Sequence, residues 1–214
     1  MTYTPPTTEQ LFVLNHIARI DAMAAHEKFA AATPDLVEAI VTGIGEFAAD
    51  VYAPLNRVGD TVNPKWDNGK VTMPPGFKDA YKQFVEAGWG SIDGPGEYGG
   101  QDLPFTLATV VIEALGSANM GFSLCSILTP GAIHALMAYG TEEQRRTWLP
   151  KLITGEWNGT MNLTEPAAGS DVGALRSTAE KVTEGEHAGL YRIKGQKIFI
   201  TFGEHDLTDN IVHL

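Results

Sequence analysis

The apolar residues of this chain change their spacing once, close to Gly155, and this change constrains the fold more than any other feature. From about residue 7 to 153 they recur at helical spacing, as Leu36, Ile40 and Ile44 do. After Gly155 apolar and polar residues alternate, which is the two-residue period of a half-buried strand. Many helices followed by several strands predict an α+β chain and not an alternating βαβ protein.

The change of period also divides the chain into two parts. Residues 1–156 are predicted to form an N-terminal all-helical domain, and residues 157–214 the first strands of an antiparallel β-barrel or sandwich domain. Two helix starts carry recognisable caps. Thr33-Pro34 supplies an N-cap and a proline at the first helical position, and residues 141–144 have the form of a capping box.

Further elements follow from local composition. Residues 121–139 are expected to form a nearly all-apolar buried helix that Pro130 bends or interrupts. Two segments rich in Gly and Pro, residues 59–76 and 93–104, are predicted to be long loops, and their length indicates a binding role. Strands are predicted at residues 157–163, 177–182, 190–194, 198–201 and 211–214.

Charge and cysteine content exclude some classes of protein. The net charge of −11, from 26 acidic and 15 basic residues, argues against non-specific nucleic-acid binding, which needs a surplus of Lys and Arg. The single cysteine, Cys125, is expected to be a packed core residue in a reducing compartment. There is no signal-peptide pattern and no apolar run of about 18 residues, so we expect a soluble, cytoplasmic protein without a membrane partner.

Two groups of residues partly match binding motifs, one for a dinucleotide and one for a metal ion, but we predict neither site. Residues 43–48 fit G-x-G-x-x-A, yet that dinucleotide fingerprint needs a strand before the glycines, and the spacing here places them inside a helix. Residue types that bind metals crowd the C-terminus, but their spacing matches no zinc or calcium signature, so we predict a polar turn and no metal site. This second group consists of Glu204, His205, Asp206, Asp209 and His213.

A third motif, Leu163 to Asp171, ends a predicted strand in a loop of small residues with Thr and Ser hydroxyls. Because Ala and Gly do not obstruct the approach, such a loop can bring backbone N–H groups close to an anion. By composition alone it is equally an ordinary turn between strands.

The same stretch resembles the T-E-P-x-A-G-S-D signature of the acyl-CoA dehydrogenase family. The resemblance extends over roughly residues 35–210, in the family's order and spacing. It includes Tyr98-Gly99-Gly100, Gly140 to Gln144, and a segment from Tyr191 to Thr201 that resembles the family's G-x-K-x-[WF]-I-T strand. The segments Tyr3 to Pro6, Pro54 to Asp60 and Gly203 to Asp206 resemble the 3-methylmercaptopropionyl-CoA dehydrogenase-like subgroup.

This resemblance implies FAD as cofactor, lying against the β domain, and acyl-CoA as substrate. The matching cofactor-binding positions are Met161, Leu163, Thr164, Gly169, Ser170, Phe199, Ile200 and Thr201. The matching substrate-binding positions are Ser170, near the thioester arm, and the helix residues Ser123, Leu124, Ile127 and Leu128. For those helix residues plain core packing is an equally good interpretation.

The implied reaction oxidises an acyl-CoA thioester to the 2,3-enoyl-CoA, with a carboxylate base removing the α-proton and FAD accepting a hydride. In the family the base belongs to a C-terminal helical bundle, to which no residue here matches. We therefore expect this N-terminal portion to lack a catalytic residue and to be inactive alone.

The resemblance further implies an electron-transfer flavoprotein or similar acceptor as partner, and a homo-oligomer for the full-length protein. Two alternatives stay open. One is a fragment of an acyl-CoA oxidase, and the other is a non-catalytic helical module that binds a protein or an acyl group.

Overall fold

The computed structural model describes residues 3–214, and helices dominate its first three quarters. The helices are α1 (Thr7–Phe12), α2 (Ile20–Ala24), α3 (Pro34–Phe47), α4 (Ala53–Val62), α5 (Phe77–Glu86), α6 (Phe105–Ile127), α7 (Thr129–Tyr139) and α8 (Glu142–Ile153). Wider π-helical turns extend α1 (Val13–Ile17) and join α3 to α4 (Ala48–Tyr52). Residues 43–48 lie within α3 and its π-helical continuation, so the glycines of the dinucleotide-like motif follow no strand.

Capping residues explain where two of these helices begin. The Thr33 hydroxyl accepts from the Leu36 N–H at 3.4 Å, and α3 begins at the following proline. At α8 the Thr141 hydroxyl accepts from the Gln144 N–H at 3.2 Å, while the Gln144 side chain accepts from the Thr141 N–H at 2.8 Å. The predicted capping box is therefore present.

The prediction of one helix over residues 121–139 is wrong in its bounds. Helix α6 begins at Phe105 and continues to Ile127, with non-helical dihedral angles at Asn119 (φ −157°, ψ 83°). The Asn119 carboxamide compensates for this irregularity, since its oxygen accepts from the Phe122 N–H and its nitrogen donates to the Tyr52 carbonyl. The predicted interruption near Pro130 is present, because the helix ends before Leu128 and this proline stands in the first turn of α7.

The core forms around α6. Leu107, Val111 and Leu115 are buried there, and the Phe122 ring lies 4.6 Å from the Tyr52 ring and 4.4 Å from the Phe77 ring. Contrary to the expectation that no stretch is long and apolar enough to span a membrane, Phe105–Tyr139 is so by length and composition, but half of its most apolar stretch is buried inside the protein. A smaller cluster joins α7 and α8 to the strands, and it consists of Ala132, Ile133, Leu136, Leu149, Leu152, Ile153 and Val212.

The predicted loop over residues 59–76 contains a hairpin. Helix α4 continues to Val62, and β1 (Lys65–Asp67) then pairs antiparallel with β2 (Lys70–Thr72). Asn68 and Gly69 connect them with positive φ angles of 50° and 86°, as a tight hairpin turn requires. The segment 93–104 is irregular apart from one 3₁₀ turn, Gly96–Tyr98.

Strands follow the helices, as predicted. Strand β3 (Asn158–Thr160) pairs with β6 (Ile211–His213), and β4 (Thr178–Lys181) pairs antiparallel with β5 (Tyr191–Lys194). The β3–β6 pair is parallel, whereas only antiparallel pairing is predicted from the sequence. The predicted domain boundary at residue 156 falls between α8 and β3.

Two strand predictions are wrong. Residues 198–201 form no strand, because Phe199 has a φ of 58°, outside the range in which a ladder continues. The first strand ends at Thr160, and all three of its residues are buried, whereas Met161 just beyond it is 50% exposed. The polar side chains of Asn158 and Thr160 face inward because each has a hydrogen-bond partner there.

Candidate functional site

The predicted cofactor residues lie on two segments, residues 160–164 and 197–201, that the fold brings side by side. The Thr160 hydroxyl donates to the Thr201 carbonyl at 2.7 Å, and the Ile198 N–H donates to the Thr164 carbonyl at 3.0 Å. These two bonds connect positions that are far apart in sequence. They are the geometric basis of the candidate site.

Apolar side chains on the linked segments face solvent. Phe199 is 88% exposed, Met161 50% and Leu163 40%, whereas Thr164 and Thr201 are half-buried. Exposed apolar side chains beside hydroxyl and backbone groups suit a flat ring system with a polar edge. The flavin ring of FAD has this character.

The loop after Thr164 has the open character that an anion site needs. Glu165 and Ala168 exchange backbone hydrogen bonds of 2.8 and 3.1 Å, which fixes a tight turn. Gly169 and Ser170 follow it and are exposed, and a Cβ atom added to Gly169 would meet nothing within 4 Å. Within residues 3–214, neither of their backbone N–H groups has a protein acceptor. These residues therefore fit the diphosphate of FAD.

A buried carboxylate closes the base of this loop. The Glu165 side chain is 4% exposed and accepts from the Arg176 N–H at 2.7 Å, the Ser177 N–H at 3.1 Å and the Lys197 ammonium at 2.8 Å. The Lys197 ammonium, together with the Ser177 side chain and these backbone N–H groups, lowers the pKa of Glu165 to about 2. Lys197 also donates to the Leu163 carbonyl at 3.1 Å.

A groove of about 480 Å³ lies between the β1–β2 hairpin and the segment that follows Thr201. Of the predicted cofactor residues only Ile200 lines it, so the remaining ones face elsewhere. The hairpin side of this groove lies within residues 59–76, which are predicted to have a binding role, but the strand pairing itself is not predicted, although Asn68-Gly69 is a hairpin signal. The lining residues are Pro64, Val71, Met73, Asn162, Ile200, Phe202, Gly203, Glu204 and His213.

The predicted substrate residues divide into three places. Ser123 and Ile127 line a cavity of about 50 Å³ among α5, α6, α7 and α8, whereas Leu124 and Leu128 do not line it. Ser170 lies in the exposed loop described above. The Ser123 hydroxyl donates to the Met120 carbonyl at 2.9 Å.

The same cavity has walls that the sequence analysis did not assign. Phe84, Trp89, Ile112 and Ser126 contribute to it, and its volume has room for a few water molecules. Trp89 stands in a 3₁₀ turn outside the predicted helices, and no local signal brings it to α6. Finding it requires the tertiary fold.

The C-terminal group of acidic and histidine residues is dispersed in the structure. Among residues 3–214 no three His, Cys, Asp or Glu side chains lie close enough together to hold a metal ion. The Asp206 carboxylate accepts from the Met73 N–H at 3.0 Å, which ties the hairpin to the later segment. His205 is buried at 4% exposure and points to Asn158 instead.

Asn158 is the centre of a buried polar network between helices and strands. Its carboxamide lies 2.6 Å from the Tyr81 hydroxyl, 2.8 Å from the Cys125 sulfur and 3.2 Å from His205 Nε2. Tyr81 has one hydroxyl hydrogen and lies 2.9 Å from the Gly155 carbonyl, which can only accept. The Asn158 carboxamide oxygen, at 2.6 Å, is a second and nearer acceptor for the same hydrogen.

The amide nitrogen of Asn158 faces the other two partners. It donates to the Cys125 sulfur and lies 3.2 Å from His205 Nε2. His205 Nδ1 accepts from the Leu207 N–H at 3.2 Å. Burial lowers the pKa of His205 and raises the pKa of Cys125 to about 12, so both groups are neutral.

Comparison with known proteins identifies the family. Residues 35–156 match the family described as acyl-CoA dehydrogenase, N-terminal domain. A 3-methylmercaptopropionyl-CoA dehydrogenase from Ruegeria pomeroyi is 44% identical over 214 residues, which are 100% of this chain and 36% of that protein. The chain thus spans about a third of the length of this relative.

Solved structures agree. An acyl-CoA dehydrogenase from Bacillus anthracis, complexed with FAD, is 25% identical with a TM-score of 0.63, covering 80% of this chain and 27% of that one. A chain from the structure of the electron transferring flavoprotein of Acidaminococcus fermentans is 30% identical with a TM-score of 0.63, covering 80% of this chain and 41% of that one. With its matched domain and its helical part followed by strands, the chain belongs to the acyl-CoA dehydrogenase family.

Proposed function

We propose that this chain is the N-terminal portion of a flavin-dependent dehydrogenase that oxidises an acyl-CoA thioester to the 2,3-enoyl-CoA. The observation that carries the proposal is the hydrogen-bonded junction of residues 160–164 with residues 197–201. It gathers exposed apolar side chains, two threonines and an open loop of small residues on neighbouring segments. That combination matches the ring, polar edge and diphosphate of FAD.

Each part of this surface has a separate task in the proposal. Met161, Leu163 and Phe199 cover the apolar ring, and Thr164 and Thr201 offer hydroxyl and backbone groups to its polar edge. The loop residues Gly169 and Ser170 approach the diphosphate with free N–H groups and a hydroxyl. When bound, FAD supplies the capacity to accept a hydride from the substrate's β-carbon.

The proposed substrate side follows from the relatives and from the cavity on α6. Ser123 and Ile127 line that cavity, and they are proposed to approach the acyl tail. The 3-methylmercaptopropionyl thioester, on which the Ruegeria pomeroyi relative is named to act, is the first substrate to test. An electron-transferring flavoprotein is the proposed acceptor.

No residue of this chain is proposed as the catalytic base. Glu165 is the buried carboxylate beside the site, but its pKa of about 2 and its three donors make it a poor proton acceptor at neutral pH.

FAD titration of the purified chain, followed by flavin fluorescence, tests the proposal. We expect saturable binding at one FAD per chain, and Phe199→Ala is expected to weaken it between about twofold and tenfold. Tyr139→Ala is the matched control, since Tyr139 is an aromatic residue 91% exposed on α7, outside the site. The absence of saturable binding by the wild-type chain would contradict the proposal.

A further inference from the structure

Glu165 is the most strongly restrained side chain near the proposed cofactor surface. Its carboxylate meets three donors at 2.7 to 3.1 Å, two of them backbone N–H groups and one an ammonium. A carboxylate is the side-chain group best suited to this place, since it only accepts and has two oxygens. A glutamine would direct N–H hydrogens at some of these donors.

The three donors come from segments that are separate in sequence. Arg176 and Ser177 end the loop that begins after Glu165, so the carboxylate joins the two ends of residues 166–175. Lys197 is the first residue of the second cofactor segment and also donates to the Leu163 carbonyl, on the first segment. One buried side chain therefore connects both cofactor segments and the loop with Gly169 and Ser170.

We propose that Glu165 is a positioning residue for FAD, which holds the loop and the two ring-facing segments in their binding geometry. This inference rests on the proposed function, because it concerns the same surface. Glu165 itself is buried under its donors and is not expected to touch the cofactor.

An electrostatic effect and a positioning effect predict opposite changes in FAD affinity for the same substitution. Glu165→Gln removes a negative charge from the neighbourhood of an anionic diphosphate and leaves the Lys197 cation unpaired. Coulomb attraction alone would therefore strengthen FAD binding. A positioning role predicts weaker binding, because the loop loses its connection to the two cofactor segments. The sign of the change thus separates the two effects.

The experiment compares FAD dissociation constants and amide hydrogen exchange for the wild-type chain, Glu165→Gln, Glu165→Asp and Glu142→Gln. The last is the matched control, since it removes one negative charge from an exposed ion pair with Arg146 of 2.8 Å on α8. We expect Glu165→Gln to raise the dissociation constant at least about tenfold, and the amides of Arg176 and Ser177 to exchange faster without FAD. The control is expected to match the wild type.

Glu165→Asp keeps the negative charge on a shorter side chain, and it is the test variant if Glu165→Gln does not fold. It is expected to weaken FAD binding less than Glu165→Gln does, and a foldable aspartate variant with wild-type affinity would count against positioning. FAD binding by Glu165→Gln as tight as or tighter than wild type overturns the inference alone. A wild-type chain that binds no FAD overturns the proposed function, and the inference with it.

Discussion

Replacement of Asn158 by alanine should destabilise the protein through loss of the buried polar network. The Asn158 side chain is 2% exposed and contacts Tyr81, Cys125 and His205, so it connects helices α5 and α6 to the strand region. Alanine keeps the backbone of β3 but removes every polar contact of the carboxamide.

The magnitude follows from what is left unpaired. The neutral hydrogen bond between Tyr81 and Asn158 contributes about 1 kcal/mol, and the polar groups of Cys125 and His205 lose their buried partner at a cost of about 1 to 3 kcal/mol. The small void adds to this. We expect the free energy of unfolding to fall by about 3 kcal/mol. Tyr81→Phe should cost less, about 1 to 2 kcal/mol, since it removes one hydroxyl and retains the ring.

Urea denaturation followed by the helical circular dichroism signal measures these differences. Asn210→Ala is the control, because Asn210 is exposed, and its effect should stay within about 0.5 kcal/mol. In the double variant of Asn158 and Tyr81 the two costs should not add, since both remove the same bond. A cost below about 1 kcal/mol for Asn158→Ala, or full additivity, would refute the role of Asn158 as the centre of this network.

Two further predictions concern pH and packing. Burial lowers the pKa of His205, so as pH falls below about 6.5 the unfolded chain binds the proton first and the free energy of unfolding decreases. Denaturation at pH 7.5 and 5.5 should show this loss of stability. The loss should be unchanged in the control His187→Gln and smaller in His205→Gln. Gly100→Ala would place a Cβ atom 1.9 Å from the Gly94 carbonyl oxygen and should lower the free energy of unfolding by about 1 to 3 kcal/mol. Gly131→Ala, whose Cβ atom would have nothing within 4 Å, should be neutral or stabilising. Equal melting temperatures for the two alanine variants would contradict this expectation.

The sequence predicts well those features whose causes are local. The caps at Thr33 and Thr141 lie at helix starts because a hydroxyl and an N–H three residues later suffice to form them. The order of helices and strands follows from the change of period. In contrast, alternation alone predicts that Asn158 and Thr160 face solvent. Their burial depends on Tyr81 and Thr201, which only the tertiary fold brings near. The same limit applies to Trp89 in the α6 cavity.

Phe199 shows where a local rule fails at the site itself. Residues 198–201 have the composition of a strand, yet Phe199 adopts a φ of 58°, which costs an ordinary L-residue about 1 to 2 kcal/mol, and its ring is 88% exposed. A bulky aromatic residue gains nothing for stability from such a place. The hydrogen bonds of its neighbours, from Ile198 to Thr164 and from Thr160 to Thr201, hold the backbone in this form. Strained conformations that the surrounding structure enforces are concentrated at functional sites, so the failed strand prediction and the proposed flavin contact have one physical cause.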